Sequence, residues 1–434
     1  MKIKKFSLIL MLVVFSAILP GCYDKREVDD LTYVTAIGLD KGKSNFLRLT
    51  VQIAAPLQSA GKSGGEEGGG GGGGGGGKEV VMTVECPSLF SGLDMLNNSL
   101  SKQIFISHAK LIVISEDVAR EGLDKYLHAM IRSREFRPSM YVAVSRGSAE
   151  EYIRSVKPSL ESSTSKYYEM VFKSGRFTGL IPGIQLNDFY IRSETLNRQP
   201  VANLIAVSKF DKTEDFSSEY STYKEKGRDY PLEGDFKAGD VPRIGDVKGE
   251  AMGLAVFDGN QMVGELDGEE NGYYMMVTGE YNHAYWSIPD PKVNNSLVIL
   301  NIKQGRTPVS RVEMVGGKPL VHVKITLEAD IASIQSDQDY ETNTQMFERS
   351  ASNFLKEGML KMLKKTSSEY HSDICGFGRS MQSKFPTWSK WEDFKWPDRY
   401  KDTSFDVNVD LKIRRPGLII RSVPETTTEE RKAK

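Results

Sequence analysis

Apolar and polar positions alternate over residues 46–54, where Leu47, Leu49, Val51 and Ile53 are interleaved with Arg48, Thr50 and Gln52. A period of two puts the four apolar side chains on one face of a half-buried strand. Residues 31–40 read as a strand running into a turn, and 79–85 as another strand. The period then changes. Leu89, Leu93, Leu96 and Leu100 share one face of a helix over 87–100, with Pro87 or Ser88 in its first turn. Val118, Leu123, Leu127 and Ile131 predict a helix over 116–131 with acids at its start. Short strands at 110–114 and 140–144, and helices at 149–156, 166–173 and 185–195, complete an alternation that predicts a mixed α/β unit.

Residues 208–246 are polar and rich in Asp, Glu, Lys and Gly, the composition of a long loop or interdomain excursion. Asp258-Gly259-Asn260, flanked by Leu254, Val256 and Met262, signals a tight hairpin. Asp267 is placed to cap a helix over 268–276. After Pro289 and Pro291, strands are expected at 296–303 and 320–331. A long helix over 340–365 carries Phe347, Ala351, Leu355, Met359 and Leu363 as one apolar stripe. A last strand spans 404–413. The expected fold is α+β in three domains, each a mostly antiparallel sheet with packed helices. Their expected bounds are 22–198 (N-terminal, with a Gly-rich loop at 61–78), 199–288 (middle) and 289–424 (C-terminal, with the long helix and a Trp cluster). A leader at 1–21 precedes them and a polar tail at 425–434 follows.

The leader has a basic start (Lys2, Lys4, Lys5) and a nearly unbroken apolar run over 6–19. That run suits a cleaved signal peptide and falls short of the roughly 18 residues of a spanning helix. It ends in Leu19-Pro20-Gly21-Cys22, which resembles the lipobox of bacterial lipoproteins and predicts lipidation of Cys22. Removing 1–21 takes away three lysines and moves the net charge from −1 to −4, so lipid, and no basic patch, would hold the chain at a bilayer.

The 434 residues carry 57 Lys+Arg against 58 Asp+Glu. Such a balance offers no cationic excess for nucleic acid. The decaglycine at 68–77 reads as a flexible hairpin loop. Gly61-Lys62-Ser63 imitates the end of a phosphate-binding loop, but Pro56 stands where the required glycine would be. His108, His128, His283, His322 and His371 are dispersed, and none makes a paired metal spacing. His371-x-Asp373-x-Cys375 reads as a helix end followed by a glycine turn before it reads as a ligand set. Cys86 and Cys375 are expected as two free, mostly buried thiols. Trp388, Trp391, Phe394 and Trp396 are expected to pack as a cap over the C-terminal core, a sugar platform being the lesser reading. No catalytic, metal or cofactor residues emerge.

Several motifs in order carry a more specific message. These are Gly-Cys-Tyr-Asp-x-Arg-Glu-x-Asp-Asp at 21–30, Ala36-Ile37-Gly38-Leu39-Asp40, Leu96-Asn97-Asn98-Ser99 and Ser107-His108-Ala109-Lys110. The stretch 249–264, Asp373-x-x-Gly376-Phe377-Gly378, the tryptophan pair and the closing strand follow. Together they resemble the Ger(x)C family, lipoprotein C subunits of the nutrient germinant receptors of bacterial spores. The family usually has Trp where Tyr23 stands, and its pattern lacks the decaglycine. The resemblance implies a non-enzymatic subunit anchored through Cys22 to the outer face of the spore inner membrane. Its implied partners are the membrane-embedded A and B subunits, with no small-molecule ligand of its own known. The alternative is a solute-binding lipoprotein of an importer, and an extracellular hydrolase comes third.

Overall fold

The strands predicted by alternation assemble around a parallel centre. In the computed structural model, which describes Met11 and residues 27–54, 79–158, 160–161, 163–336, 338–340 and 344–415, thirteen strands form two sheets. The first holds β1 (Leu31–Lys41), β2 (Leu47–Ile53), β3 (Val80–Cys86), β4 (Gln103–Phe105), β5 (Leu111–Ser115), β6 (Tyr141–Ser145), β7 (Val201–Val207), β8 (Gly249–Asp258) and β9 (Gln261–Leu266). Their order is β3-β2-β1-β5-β6-β7-β8-β9, with β4 alongside β1. β1, β5, β6 and β7 run parallel, while β2–β3 and β8–β9 flank them antiparallel. Helices connect the parallel strands, as such crossovers require.

β5 (Leu-Ile-Val-Ile-Ser) and β6 (Tyr-Val-Ala-Val-Ser) are buried along their whole length. Here the sheet is covered on both faces, so the one-sided alternation read elsewhere does not apply. One face packs on helices Ala149–Ser155 and Thr164–Lys173 through Tyr152, Ile153, Tyr168 and Phe172. The other joins a continuous core that runs on into the second sheet.

That second sheet is β10 (His283–Pro289), β11 (Leu297–Val315), β12 (Lys318–Ile334) and β13 (Ser404–Arg415) in sequence order. Only β12 and β13 pair in parallel. β11 and β12 are longer than the sequence pattern suggested. They meet at Gly316-Gly317, whose φ values of 59° and 81° make a tight hairpin turn. The long helix, Thr344–Ser368, lays Phe347, Ala351, Leu355, Met359 and Leu363 on this sheet, all fully buried. Its Ser352 and Glu348 side chains accept the outward N–H groups of Leu411 and Ile413, closing the β13 edge.

The residues expected as a middle domain, 199–288, divide between the sheets. β7 bonds to β6 (Ala143↔Asn203) and brings β8 and β9 with it, whereas β10 opens the second sheet. The helix expected over 116–131 is two helices, Glu116–Glu121 and Asp124–Arg132, parted at Gly122, whose φ of 117° no helix continues. Apart from Met11 the leader lies outside the described residues, as do Cys22, the decaglycine and the tail.

The Ala-Ile-Gly-Leu-Asp motif acquires a physical reason here. A Cβ on Gly38 would stand 2.9 Å from Ile153 Cδ1, so glycine admits the Ala149–Ser155 helix onto the sheet. Asp40, 5% exposed, accepts the N–H groups of Ala149 (2.8 Å) and Glu150 (2.9 Å) at that helix's first turn. A carboxylate there satisfies two orphan donors and suits the helix dipole. Replacing Asp40 by Ala should lower the unfolding free energy by about 1–2 kcal/mol, with Asp40→Asn losing less because one acceptor oxygen remains. The urea midpoints of the two variants measure this, and an Ala variant as stable as the parent would refute the capping role.

Candidate functional site

The polar excursion 208–248 leaves β7, crosses the junction of the two sheets and returns as β8. It ends up clamped to the start of a buried helix, Gly268–Thr278. Asp267 Oδ1 accepts the N–H of Glu270 (2.9 Å) and Glu270 Oε2 accepts the N–H of Asp267 (3.0 Å), a complete capping box. The next two orphan N–H groups, of Gly268 and Glu269, donate to the carbonyls of Phe236 (3.1 Å) and Gly234 (2.8 Å) in the excursion. Gly234 has to be glycine for this approach: a Cβ would stand 2.7 Å from Glu269.

Side chains reinforce the clamp. Lys226 Nζ reaches Asp235 (2.7 Å), Asp267 (2.9 Å) and Glu269 (2.6 Å). Arg228 pairs with Glu269 (2.8 Å) and with Asp235. Lys365 of the long helix donates to both oxygens of Glu270, at 3.0 Å each. Three cations thus face four carboxylates, with Asp235 and Asp267 essentially without solvent contact. Burial pushes Asp235 up, with Lys226 pulling the other way. Glu270 is pushed up by burial and by the charge of Asp267, against the pull of Lys365. Burial acts upward on Glu269 too, but Lys226 and Arg228 overcome it and hold that carboxyl below its ordinary range. Burial works against the charge of Lys226, yet its three carboxylates hold the ammonium above the usual lysine value. Beside the cluster opens a cleft of about 490 Å³, bounded by residues 226–230, the loop 289–295 and the 354–362 face of the long helix.

A second buried cluster pins the end of the first sheet's helical layer to the turn after the long helix. Asp373 accepts the N–H groups of Gly376 (2.8 Å), Phe377 (3.1 Å) and Gly378 (2.8 Å) and the indole N–H of Trp396 (2.9 Å). Burial pushes its carboxyl up, and these four donors pull it back. Arg198 donates to the Ile374 carbonyl (3.0 Å), to Tyr274 Oη (2.8 Å) and to Glu280 (2.9 Å), and Arg192 also reaches Tyr274 Oη (2.8 Å). The motif Asp373-x-x-Gly376-Phe377-Gly378 with Trp396 is therefore a joint.

Residues 371–375 form a helix end and a glycine turn, as read from the sequence. His371 has φ 52° and lies with Nε2 3.1 Å from the Ser368 carbonyl, turned away from Asp373's partners. Cys86 and Cys375 are free, and burial pushes both thiols up. Trp391, Phe394 and Trp396 stack in the expected cap, with ring centroids 6.1 and 6.5 Å apart. Trp388 differs: it is 53% exposed, with its indole N–H donated to Glu392. His108 packs edge-on to Tyr33 at 5.0 Å, and Asn97 accepts the N–H of Ile104 (2.9 Å). Cys22, the one predicted site residue, lies outside the described residues. Sequence reasoning missed Lys226, Arg228 and Asp235. The only hint was that Asp267, Glu269 and Glu270, three acids at the start of a helix that is otherwise largely apolar, needed cations from somewhere.

Comparison with known proteins gives the chain a family. Residues 24–207 match the family described as spore germination protein N-terminal domain, and residues 252–417 match the one described as spore germination B3/GerAC like, C-terminal. The chain belongs to the Ger(x)C family. Spore germination protein KC of Bacillus subtilis (strain 168) is 25% identical over 429 residues, covering 96% of this chain and 97% of that relative. Spore germination protein B3 of the same organism is 19% identical over 423 residues, covering 96% and 98%. The crystal structure of the GerBC protein aligns with a TM-score of 0.51 at 15% identity, over 87% of this chain and 96% of that one, which establishes the Ger(x)C fold. The whole excursion, with Lys226, Arg228 and Asp235, lies between the two matched regions.

The cluster predicts a pH-dependent cost. Lys226, raised by folding, contributes fully below the ordinary lysine range, and that contribution is lost only as pH rises through the raised value. Glu269, lowered by folding, contributes above the ordinary carboxylate range, and that contribution is lost as pH falls through its lowered value. Lys226→Met leaves three carboxylates without their shared cation and should cost about 3–5 kcal/mol at neutral pH. The cost should shrink towards about pH 4, where those carboxylates can take up protons. Urea unfolding of parent and variant at three pH values measures it, and a pH-independent loss would assign Lys226 to packing alone.

Proposed function

We propose that this protein is the lipid-anchored, non-enzymatic C subunit of a spore nutrient germinant receptor, needed for nutrient-triggered germination. The match to Ger(x)C domains along nearly the whole chain carries the reading, since the full-length relatives are named spore germination proteins. Cys22, at the end of the leader, supplies the attachment. Diacylglycerol on its sulfur, and a further acyl chain on its amino group, would hold the chain stably, because two or more chains anchor where one binds reversibly. β1 begins at Leu31, nine residues beyond Cys22, so extended chain keeps the first sheet within about 30 Å of the bilayer. Among the described residues no helix is long and apolar enough to cross a membrane, which fits attachment through the lipid.

On this reading the protein sits on the outer face of the spore inner membrane beside the A and B subunits. Confinement to the bilayer plane raises its effective concentration for those partners. Its two sheets, joined through buried polar clusters, would pass on a displacement as a connected body. Replacing Cys22 by Ala should release the chain from the spore membrane fraction and slow nutrient-triggered germination, both followed in spores carrying the variant as the sole copy. Normal membrane retention together with normal germination would overturn the anchoring role.

A further inference from the structure

Three guanidinium groups meet at the second joint. Arg192 and Arg198, 5% and 7% exposed, approach it from the first sheet's side. Arg379 approaches from the turn after the long helix, its backbone N–H donating to the Gly376 carbonyl (3.2 Å). A Cβ on Gly376 would stand 2.9 Å from Arg198 Cδ, so the stem of Arg198 lies against the turn that carries Arg379. Two acids stand nearby. Both oxygens of Asp373 are taken by N–H donors. Glu280, its side chain 34% exposed, accepts from Arg198 (2.9 Å) and Arg192 (3.4 Å) through Oε1 and marks where the cluster opens to solvent.

A guanidinium has five N–H donors in a fixed fork. Arg198 donates from Nε and Nη2, and Arg192 from Nη1 and Nη2. Arg198 Nη1 and Arg192 Nε make no hydrogen bond among the described residues, yet both retain contact with solvent, unlike Arg228 Nε. The exposed side chain of Arg379 pairs with none of the described residues. Burial, and then the charges of Arg198 and Arg192, hold its guanidinium below the ordinary arginine value, against the pull of Asp373 and Glu280. The three cations therefore face one another with donors unused. Like charges held together where water is scarce are costly, and an anion between them removes that cost. Guanidinium forks match the oxygens of phosphate and carboxylate in spacing and direction.

We propose that the mouth of this joint binds a small oxyanion of the phosphate or carboxylate class, received by Arg379, Arg198 Nη1 and Arg192 Nε. So held, the anion is bonded to residues 192–198 and to the 373–379 turn at once, and fastens the joint from outside. A cation would meet three guanidinium groups, and a neutral molecule would leave their repulsion in place. This inference stands on the joint alone and goes beyond the receptor reading.

Inorganic phosphate and succinate are the probes, added to the full chain in detergent at an ionic strength held constant with chloride. At least one should give saturable heat in isothermal titration calorimetry, at one site per chain, and raise the urea midpoint over the same concentrations. Arg379→Met should weaken that binding about tenfold or more. Without either anion the same variant should unfold at a urea concentration no lower than the parent's, because an unbalanced charge is gone. No saturable heat from either probe, a rise in midpoint that equivalent chloride reproduces (an adventitious ion only), or undiminished binding to Arg379→Met would each overturn the proposal. So would a variant less stable than the parent in the absence of both anions, which would make Arg379 a packing residue. None of these results bears on Cys22 or on membrane retention, so the receptor reading fails or stands separately.

Discussion

Seven charged side chains withdrawn from water at the start of one helix hold the two sheets and the excursion between them together. The cause is the helix itself. Gly268–Thr278 is buried along nearly all its length, between β8 and the second sheet. Its first N–H groups cannot reach water, so acceptors must be brought to them. Asp267 and Glu270 supply two, and the carbonyls of Gly234 and Phe236 supply the others. Carboxylates placed there require cations, and Lys226, Arg228 and Lys365 meet them from two different elements. Such a cluster is a poor source of net stability, since desolvation offsets most of the attraction. What it provides is uniqueness: the excursion and the long helix have one arrangement in which every buried charge is met.

The second joint has the opposite construction. Asp373 is held by neutral N–H donors, and the cationic side chains nearby, Arg192 and Arg198, turn to Tyr274, Glu280 and a carbonyl. Tyr274 lies on the same helix as Glu269 and Glu270. One end of that helix is therefore fastened to the excursion and the long helix, and its middle to the segment 192–198 and, through Arg198, to the 373–378 turn. A displacement of the first sheet cannot leave the second undisturbed without breaking one of these sets.

Much of this was legible from spacing alone. Period-two stretches gave β2 and β12, and the four-residue apolar stripe gave the long helix within a few residues of its ends. The Asp267 cap was read correctly because a capping box is local chemistry. β5 and β6, buried on both faces and without alternation, still lie within a residue of the strands expected at 110–114 and 140–144, whereas the equally buried β7 has no counterpart among the expected strands. β11 and β12 extend beyond their apolar alternation because the Gly316-Gly317 turn carries the pairing on through largely exposed residues. Residues 199–288 looked like a unit because the polar excursion separates them in sequence, and pairing between β6 and β7 is a long-range fact that no local pattern contains. The charge cluster was illegible for the same reason. Lys226 and Arg228 sit in a stretch whose composition is that of a solvated loop, and only the fold carries them inward. Cys22 is the reverse case, singled out by the sequence pattern and outside the described residues.

Among the described residues, those that carry the family resemblance share one kind of work. Gly38 admits a helix and Asp40 caps it; Asn97 closes a turn; His108 packs on Tyr33; Asp373 and Trp396 build a joint. Both oxygens of Asp40 and of Asp373 accept hydrogen bonds from backbone or indole N–H groups. A carboxylate so engaged positions other elements and is badly placed to pass a proton. The motifs therefore describe a scaffold. The cleft beside the charge cluster has other walls: Arg228 and Asp229 come from the excursion between the two matched regions, and Glu357 and Lys361 from the long helix opposite it.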